Sequence, residues 1–190
     1  MANERALSEA TEPAWVGEVL RFWFDVVGEE HWFDATPELD ARIGERFRAL
    51  HERLSANPDS CDTPRTMLAT IIVLDQFSRN LYRGTPRAYD ADRQARRLAN
   101  LAIERGYDSA LKVPERQFLY LPFQHSESRE DQARSVALFE RLGNANWNTY
   151  ARAHQKIIER FGRFPHRNAI LKRTSSPEET ASLDEPMGSF

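Results

Sequence analysis

Apolar residues recur along this chain with the period of a helix. Leu39, Ile43, Phe47, Leu50 and Leu54 step by four, four, three and four residues, which places them on one helical stripe. Leu98, Leu101 and Ala102 continue a similar pattern up to Arg105 and Gly106, and Trp147, Tyr150, Ala151, His154, Ile157, Ile158 and Phe161 mark another face. The punctuation agrees. Thr36-Pro37, Thr63-Pro64, Thr85-Pro86 and Ser176-Pro177 each set a hydroxyl capping residue before a proline, whose missing N–H costs nothing in the first helical turn. Ser128 with Asp131 reads as an acidic capping box. Gly84, Gly106, Gly143 and Gly162 stand where helices stop in a left-handed residue. No alternating strand pattern occurs. The reading is an all-α protein of about seven or eight helices packed as antiparallel pairs. It forms one domain over 1–190, with loosely held ends at about 1–8 and 184–190.

One helix breaks its own pattern. Met67 to Val73 is apolar nearly all round, which predicts deep burial, and the continuation Leu74 to Gly84 then turns polar. At 100° per residue, Asp75, Gln76, Arg79, Asn80 and Arg83 share one sector, while Val73, Leu74, Phe77 and Leu81 keep the opposite face apolar. Three readings fit. The helix emerges into solvent with Asp75 and Arg79 as a weak i,i+4 pair, or the polar residues brace a neighbouring helix, or they line a cleft.

Composition narrows the partners. A net charge of −3 argues against a general nucleic-acid binder. No apolar run approaches the roughly 20 residues that span a bilayer. The N-terminus lacks a basic stretch followed by an apolar core, and the single Cys61 fits a reducing compartment, so a cytoplasmic location is expected. No P-loop, dinucleotide fingerprint, nucleophile elbow or H-E-x-x-H is present, and no cofactor is predicted.

Two further polar clusters stand out. In R-F-G-R-F-P-H-R-N-A-I-L-K-R, five cations from Arg160 to Arg173 occur without an acid between them, on a turn broken by Gly162 and Pro165. Arginines on a rigid turn can hold a carboxylate or phosphate in a fork, with His166 and Asn168 adding hydrogen bonds. Their alternation with Phe161 and Phe164 also allows an RNA-binding loop, which the acidic whole disfavours. In F-L-Y-L-P-F-Q-H-S-E, His125 and Glu127 precede a helix N-terminus and can form an acid–base pair. A metal site from His125, Glu127 and His154 or His166 has no recognised spacing, and none is predicted. His154, on an apolar stripe, reads as a satisfied core residue.

These three long motifs resemble a widespread bacterial family catalogued as domain of unknown function 924, and the resemblance runs from about Val19 to about Leu183. It implies an all-helical, tetratricopeptide-like fold and no established activity. The family's characteristic polar residues fall on Asp75, Gln76, Arg79, Asn80, Arg83 and Asp92, then on His125, Glu127, His154, Arg163, His166, Arg167 and Asn168. Ser78 stands where the family pattern has proline, and Lys172 where it has glycine.

The expected site is a cleft between the end of the third helix, the His125 loop and the 163–168 turn. Arg79, Arg83, Arg163 and Arg167 would hold a small anion or an acidic peptide end, Asp75 would orient an arginine, and His125 or His166 would carry a proton if chemistry occurs. The alternative is a helical scaffold for protein–protein interaction in which the same groups lock helices together.

Overall fold

The computed structural model describes residues 12–57 and 62–188. Cys61 and the predicted loose N-terminal stretch 1–8 lie outside the described residues, as do residues 189–190 of the predicted loose C-terminus. Within the rest of that tail, Glu185 is pinned by Arg160 at 3.0 Å.

Among the described residues the regular structure is all helical, without strands. Helix α1 (Ala14–Arg21) runs into a wide π-helical turn at Phe22–Val27, and α2 spans Pro37–Ala56. Next, α3 (Pro64–Ile72), a second π turn (Val73–Phe77) and α4 (Ser78–Leu81) form one continuous rod. Then come α5 (Asp92–Glu104), α6 (Val113–Gln124), α7 (Arg129–Leu142), α8 (Ala145–Phe161) and the short α9 (Pro177–Ser182). The loops 125–128 and 143–144 are too short for anything but antiparallel packing of α6 on α7 and α7 on α8.

The capping chemistry explains most boundaries. Thr36, Thr63, Ser128, Asn144 and Ser176 each accept a backbone N–H two or three residues into their helix. Two of the expected caps differ. Thr85 donates its hydroxyl back to the Tyr82 carbonyl, and the chain after it makes only a 3₁₀ turn, Pro86–Tyr89. Asp131 does not complete a capping box, because its carboxylate is taken by Ser126 and Arg96. Gly143 and Gly162 end α7 and α8 with φ of 73° and 71°, a left-handed geometry that a Cβ would strain.

The core is one cluster in which Phe22, Trp23, Phe47, Phe77 and Phe118 meet edge-on or tilted, with the α3 rod at its centre. Every residue from Thr66 to Ser78 is buried. The polar sector of this rod therefore does not run out into solvent; it starts inside the protein. No helix is long and apolar enough to cross a membrane among the described residues.

Candidate functional site

The second π turn sets the site. A π turn inserts one residue into the α-helical ladder and disturbs its carbonyl pairing. Two carbonyls here are taken by side chains: Leu74 accepts from the Ser78 hydroxyl at 2.6 Å, and Asp75 accepts from Arg79 Nη1 at 2.5 Å. Ser78, the departure from the family's proline, is fully buried. Since its proton goes to Leu74, its oxygen accepts from His51 Nε2–H at 2.6 Å. Burial, reinforced by Arg87, pushes His51 down to about 4, which keeps the ring neutral.

Asp75 is 1% exposed and fully engaged. One oxygen accepts from His125 Nδ1 at 2.8 Å and lies 3.3 Å from Arg79, while the other accepts from Gln76 Nε2 at 2.6 Å. Burial alone would raise its pKa, but Arg79 and His125 hold the carboxyl well below the usual range. Arg79 also forks onto Asp92 at 3.0 and 3.2 Å. Burial and then the Arg79 charge push His125 below its ordinary value, Asp75 opposing. The ring is therefore a neutral tautomer whose Nδ1–H faces Asp75 and whose Nε2 carries the lone pair.

These residues wall a cavity of about 830 Å³, within the range of sites for small organic molecules. Gln76, Arg79, Asn80, Arg83, His125, His154, His166 and Arg167 line it, and Asp75 and Asp92 stand behind the wall. Arg167 arrives from the 3₁₀ turn Pro165–Arg167 and is buried at 7% exposure. Its closest carboxylate, Asp92, is 3.8 Å away, and its Nε has no hydrogen-bond partner among the described residues. The guanidinium lies between the Tyr89 and Phe164 rings, 4.7 and 4.5 Å from their centroids. Burial and then the nearby Arg79 charge lower its pKa. His166 is pushed down to about 4 by burial and then Arg167, and His154, whose Nδ1 donates to the Tyr150 carbonyl at 2.8 Å, is lowered mainly by burial. His154, read from sequence as a core residue, is buried and also faces the cavity. No three His, Cys, Asp or Glu side chains among the described residues are placed to hold a metal ion.

The expected site splits in two. Glu127, Arg163 and Asn168 do not line the cavity. Glu127 accepts both arms of Arg173 at 2.8 and 3.0 Å and the Phe164 N–H at 2.8 Å. Arg163 forks onto Glu179 at 2.6 and 2.9 Å, and Asn168 joins Arg173 to Ser175. Together they tie the 162–176 turn to α9 and to the His125 loop, so Arg163 is committed to a carboxylate on a different face. Arg83 does reach the cavity rim, but it is paired with Asp40 at 2.7 Å, and Asn80 donates to the same carboxylate. His125 and Glu127 are therefore not an acid–base pair: Asp75 is the partner of His125. Lys172, in place of the family's glycine, adopts φ of 55°, the left-handed conformation that glycine would accept without strain.

Sequence reasoning missed the rest of the lining. Gln117, Leu121 and Gln124 lie at i, i+4 and i+7 on α6, a polar interruption of a helix buried over Gln117–Gln124, and that spacing was the available clue. The carbonyl oxygens of both glutamines are buried without a hydrogen-bond partner among the described residues. The rim is aromatic and acidic. Trp32 and Phe33 come from the loop after the first π turn, Trp147 and Tyr150 from α8, and Glu29 and Asp34 stand beside them.

Comparison with known proteins bears on identity but not on chemistry. The sequence model of a family described as bacterial protein of unknown function (DUF924) matches residues 19–187. A solved structure of a protein of unknown function from Agrobacterium tumefaciens, ATU0120, is 39% identical. It superposes with a TM-score of 0.87 over 91% of this chain and 98% of that one. No functionally curated protein matches.

Proposed function

Because the chain belongs to the DUF924 family of bacterial proteins of unknown function, we propose its role from the cavity itself: it binds a small organic monoanion. The anion's carboxylate sits against Arg167 and Arg79, and its body lies along the aromatic rim. The observation that carries this reading is Arg167. A guanidinium buried at 7% exposure with an unpartnered Nε and no carboxylate closer than 3.8 Å is costly to leave so, and an anion against its cavity-facing side supplies the missing counter-charge.

Charge bookkeeping selects the anion. Arg79 and Arg167 are balanced by Asp75 and Asp92, and Glu29 and Asp34 add negative charge at the rim. The wall thus offers hydrogen-bond donors rather than a surplus of positive charge. This favours a singly charged carboxylate over a phosphate or polyphosphate, and it disfavours an acidic peptide.

Calorimetric titration with benzoate and with phenyl phosphate tests the proposal. Benzoate is expected to bind, phenyl phosphate more weakly, and Arg167→Met is expected to lose benzoate with the fold intact. Benzoate at 100 times its Kd should stabilise the protein by about 2.7 kcal/mol. Equal benzoate binding by wild type and Arg167→Met, or none by either, overturns the reading. A large fall in melting temperature in Arg167→Met supports instead a scaffold in which this arginine locks helices together.

A further inference from the structure

We propose that this cavity is a hydrolytic site in which His125, held by Asp75, takes the proton of a water molecule that attacks a carboxylate-bearing ester. The inference rests on the anion-binding reading and adds a reaction to it.

Five observations lead there. The His125 Nδ1–H is tied to Asp75 at 2.8 Å, which fixes the tautomer and aims the lone pair of Nε2 away from that carboxylate. His125 lines the cavity, and its Nε2 has no hydrogen-bond partner among the described residues. This is the carboxylate–imidazole half of a hydrolytic triad, in which the carboxylate orients the ring and stabilises the imidazolium. No Ser, Thr or Cys appears among the residues described as lining the cavity, so the partner such a base would normally activate is missing and water must take its place. Arg167 and Arg79 stand beside the base, where a substrate carboxylate would be anchored. Finally, Gln117 and Gln124 bring side-chain amides to the wall, buried at 2% and 5% exposure, whose carbonyl oxygens accept nothing from the described residues. Those amides are free to turn their N–H groups toward an oxyanion.

The reaction balances without a cofactor. The water oxygen forms a bond to the ester carbonyl carbon while its proton passes to His125 Nε2, and the carbonyl oxygen becomes the oxyanion. The tetrahedral centre then collapses, the carbon–alkoxy oxygen bond breaks, and His125 Nε2–H returns its proton to the leaving oxygen. A carboxylic acid and an alcohol leave, and the imidazole is neutral again.

The test uses the full-length chain and 4-nitrophenyl hydrogen succinate, an ester that carries a free carboxylate, with 4-nitrophenyl acetate and 4-nitrophenyl phosphate beside it. Hydrolysis is expected for the succinate ester, more slowly for the acetate and not for the phosphate. His125→Gln should lower kcat by about 100-fold or more, a far larger change than any in benzoate affinity. Asp75 is a positioning residue. In Asp75→Asn the acidic limb of the rate profile should move to lower pH, because imidazolium loses its counter-charge, an effect that a merely structural role would not give. Arg167→Met should raise KM for the succinate ester far more than for the acetate. No turnover by a wild type that binds benzoate overturns the hydrolytic inference alone, as does turnover that survives His125→Gln. Failure to bind benzoate at all overturns the anion reading beneath it. Preferential hydrolysis of the phosphate ester overturns the assignment of substrate class.

Discussion

The protein contains two networks of arginine and carboxylate that look alike in sequence and differ in what they leave undone. Around the 162–176 turn, Glu127, Arg173, Arg163 and Glu179 form closed forks, with the carboxylates also accepting the backbone N–H groups of Phe164 and Ser176. Along the cavity, Asp75 is just as well served, but Arg167, His125, Gln117 and Gln124 each keep a donor or acceptor without a partner among the described residues. A closed network spends its polar groups on the fold, whereas an open one in a concave wall keeps them for something else. The presence of charges alone does not separate the two cases.

Substitution should separate these regions, beginning with the largest effect. Asp75→Ala strips the buried centre of the cavity network and leaves Arg79 without its innermost counter-charge. Denaturant unfolding should show a loss of about 3–5 kcal/mol.

Acid should weaken the two regions in different windows. His51 and His166 sit at about 4 when folded against 6.5 for a free ring. The unfolded chain therefore binds more protons between those values. Their contribution is complete above pH 6.5 and drains away as pH falls to 4, on the order of a few kcal/mol in total. Glu179 is held down to about 2 by the hydrogen bond from Arg163, so the turn should keep its contribution above pH 4.5 and lose it toward 2. Amide exchange followed along a pH series should report α2 and the α3–α4 rod, joined through His51 and Ser78, loosening before the Arg163–Glu179 contact of the turn with α9.

Arg173→Met opens the closed network, and a loss of about 1–3 kcal/mol is expected with benzoate affinity unchanged. A smaller effect of opposite sign is expected from Lys172→Gly, which relieves the left-handed strain at φ of 55° and should raise stability by about 0.5–1 kcal/mol in the same denaturant assay. Arg167→Met should move stability least, from no change to about 0.5 kcal/mol of gain, because it replaces a poorly paired buried charge with an apolar chain of similar length. If Arg167→Met cost as much as Arg173→Met, the contrast between an open and a closed network would be lost.

Much of the fold was legible because helix boundaries are written locally. Thr36-Pro37, Thr63-Pro64 and Ser176-Pro177 act where a hydroxyl followed by proline predicts. The stripe from Leu39 to Leu54 faces the core, with only Leu50 partly exposed. The polar sector of the α3–α4 rod was legible as a sector, and four of its five residues line the cavity. Its partners were not. Asp40, which captures Asn80 and Arg83, lies 40 residues or more away in sequence, and the Asp75–His125 contact spans 50. Nothing local distinguishes Arg163, which meets Glu179, from Arg167, which meets the cavity, because that difference depends on which side of one 3₁₀ turn each side chain leaves. The π turns were missed for a related reason: a fixed 100° step assumes a regular helix, and an inserted residue breaks that assumption.

That inserted residue makes the site vulnerable to a kind of change that substitutions do not sample. The widened turn at Val73–Phe77 holds one residue more than a regular turn and absorbs it locally. Deleting one residue from it would let α3 and α4 close into a single regular helix with α4 in nearly the same orientation. Arg79, Asn80 and Arg83 would still face the cavity, yet the Asp75 carbonyl that now accepts from Arg79 would return to the helical ladder. In a set of related sequences, a one-residue gap at this point would therefore mark members that keep the residues of the cavity but hold Arg79 differently.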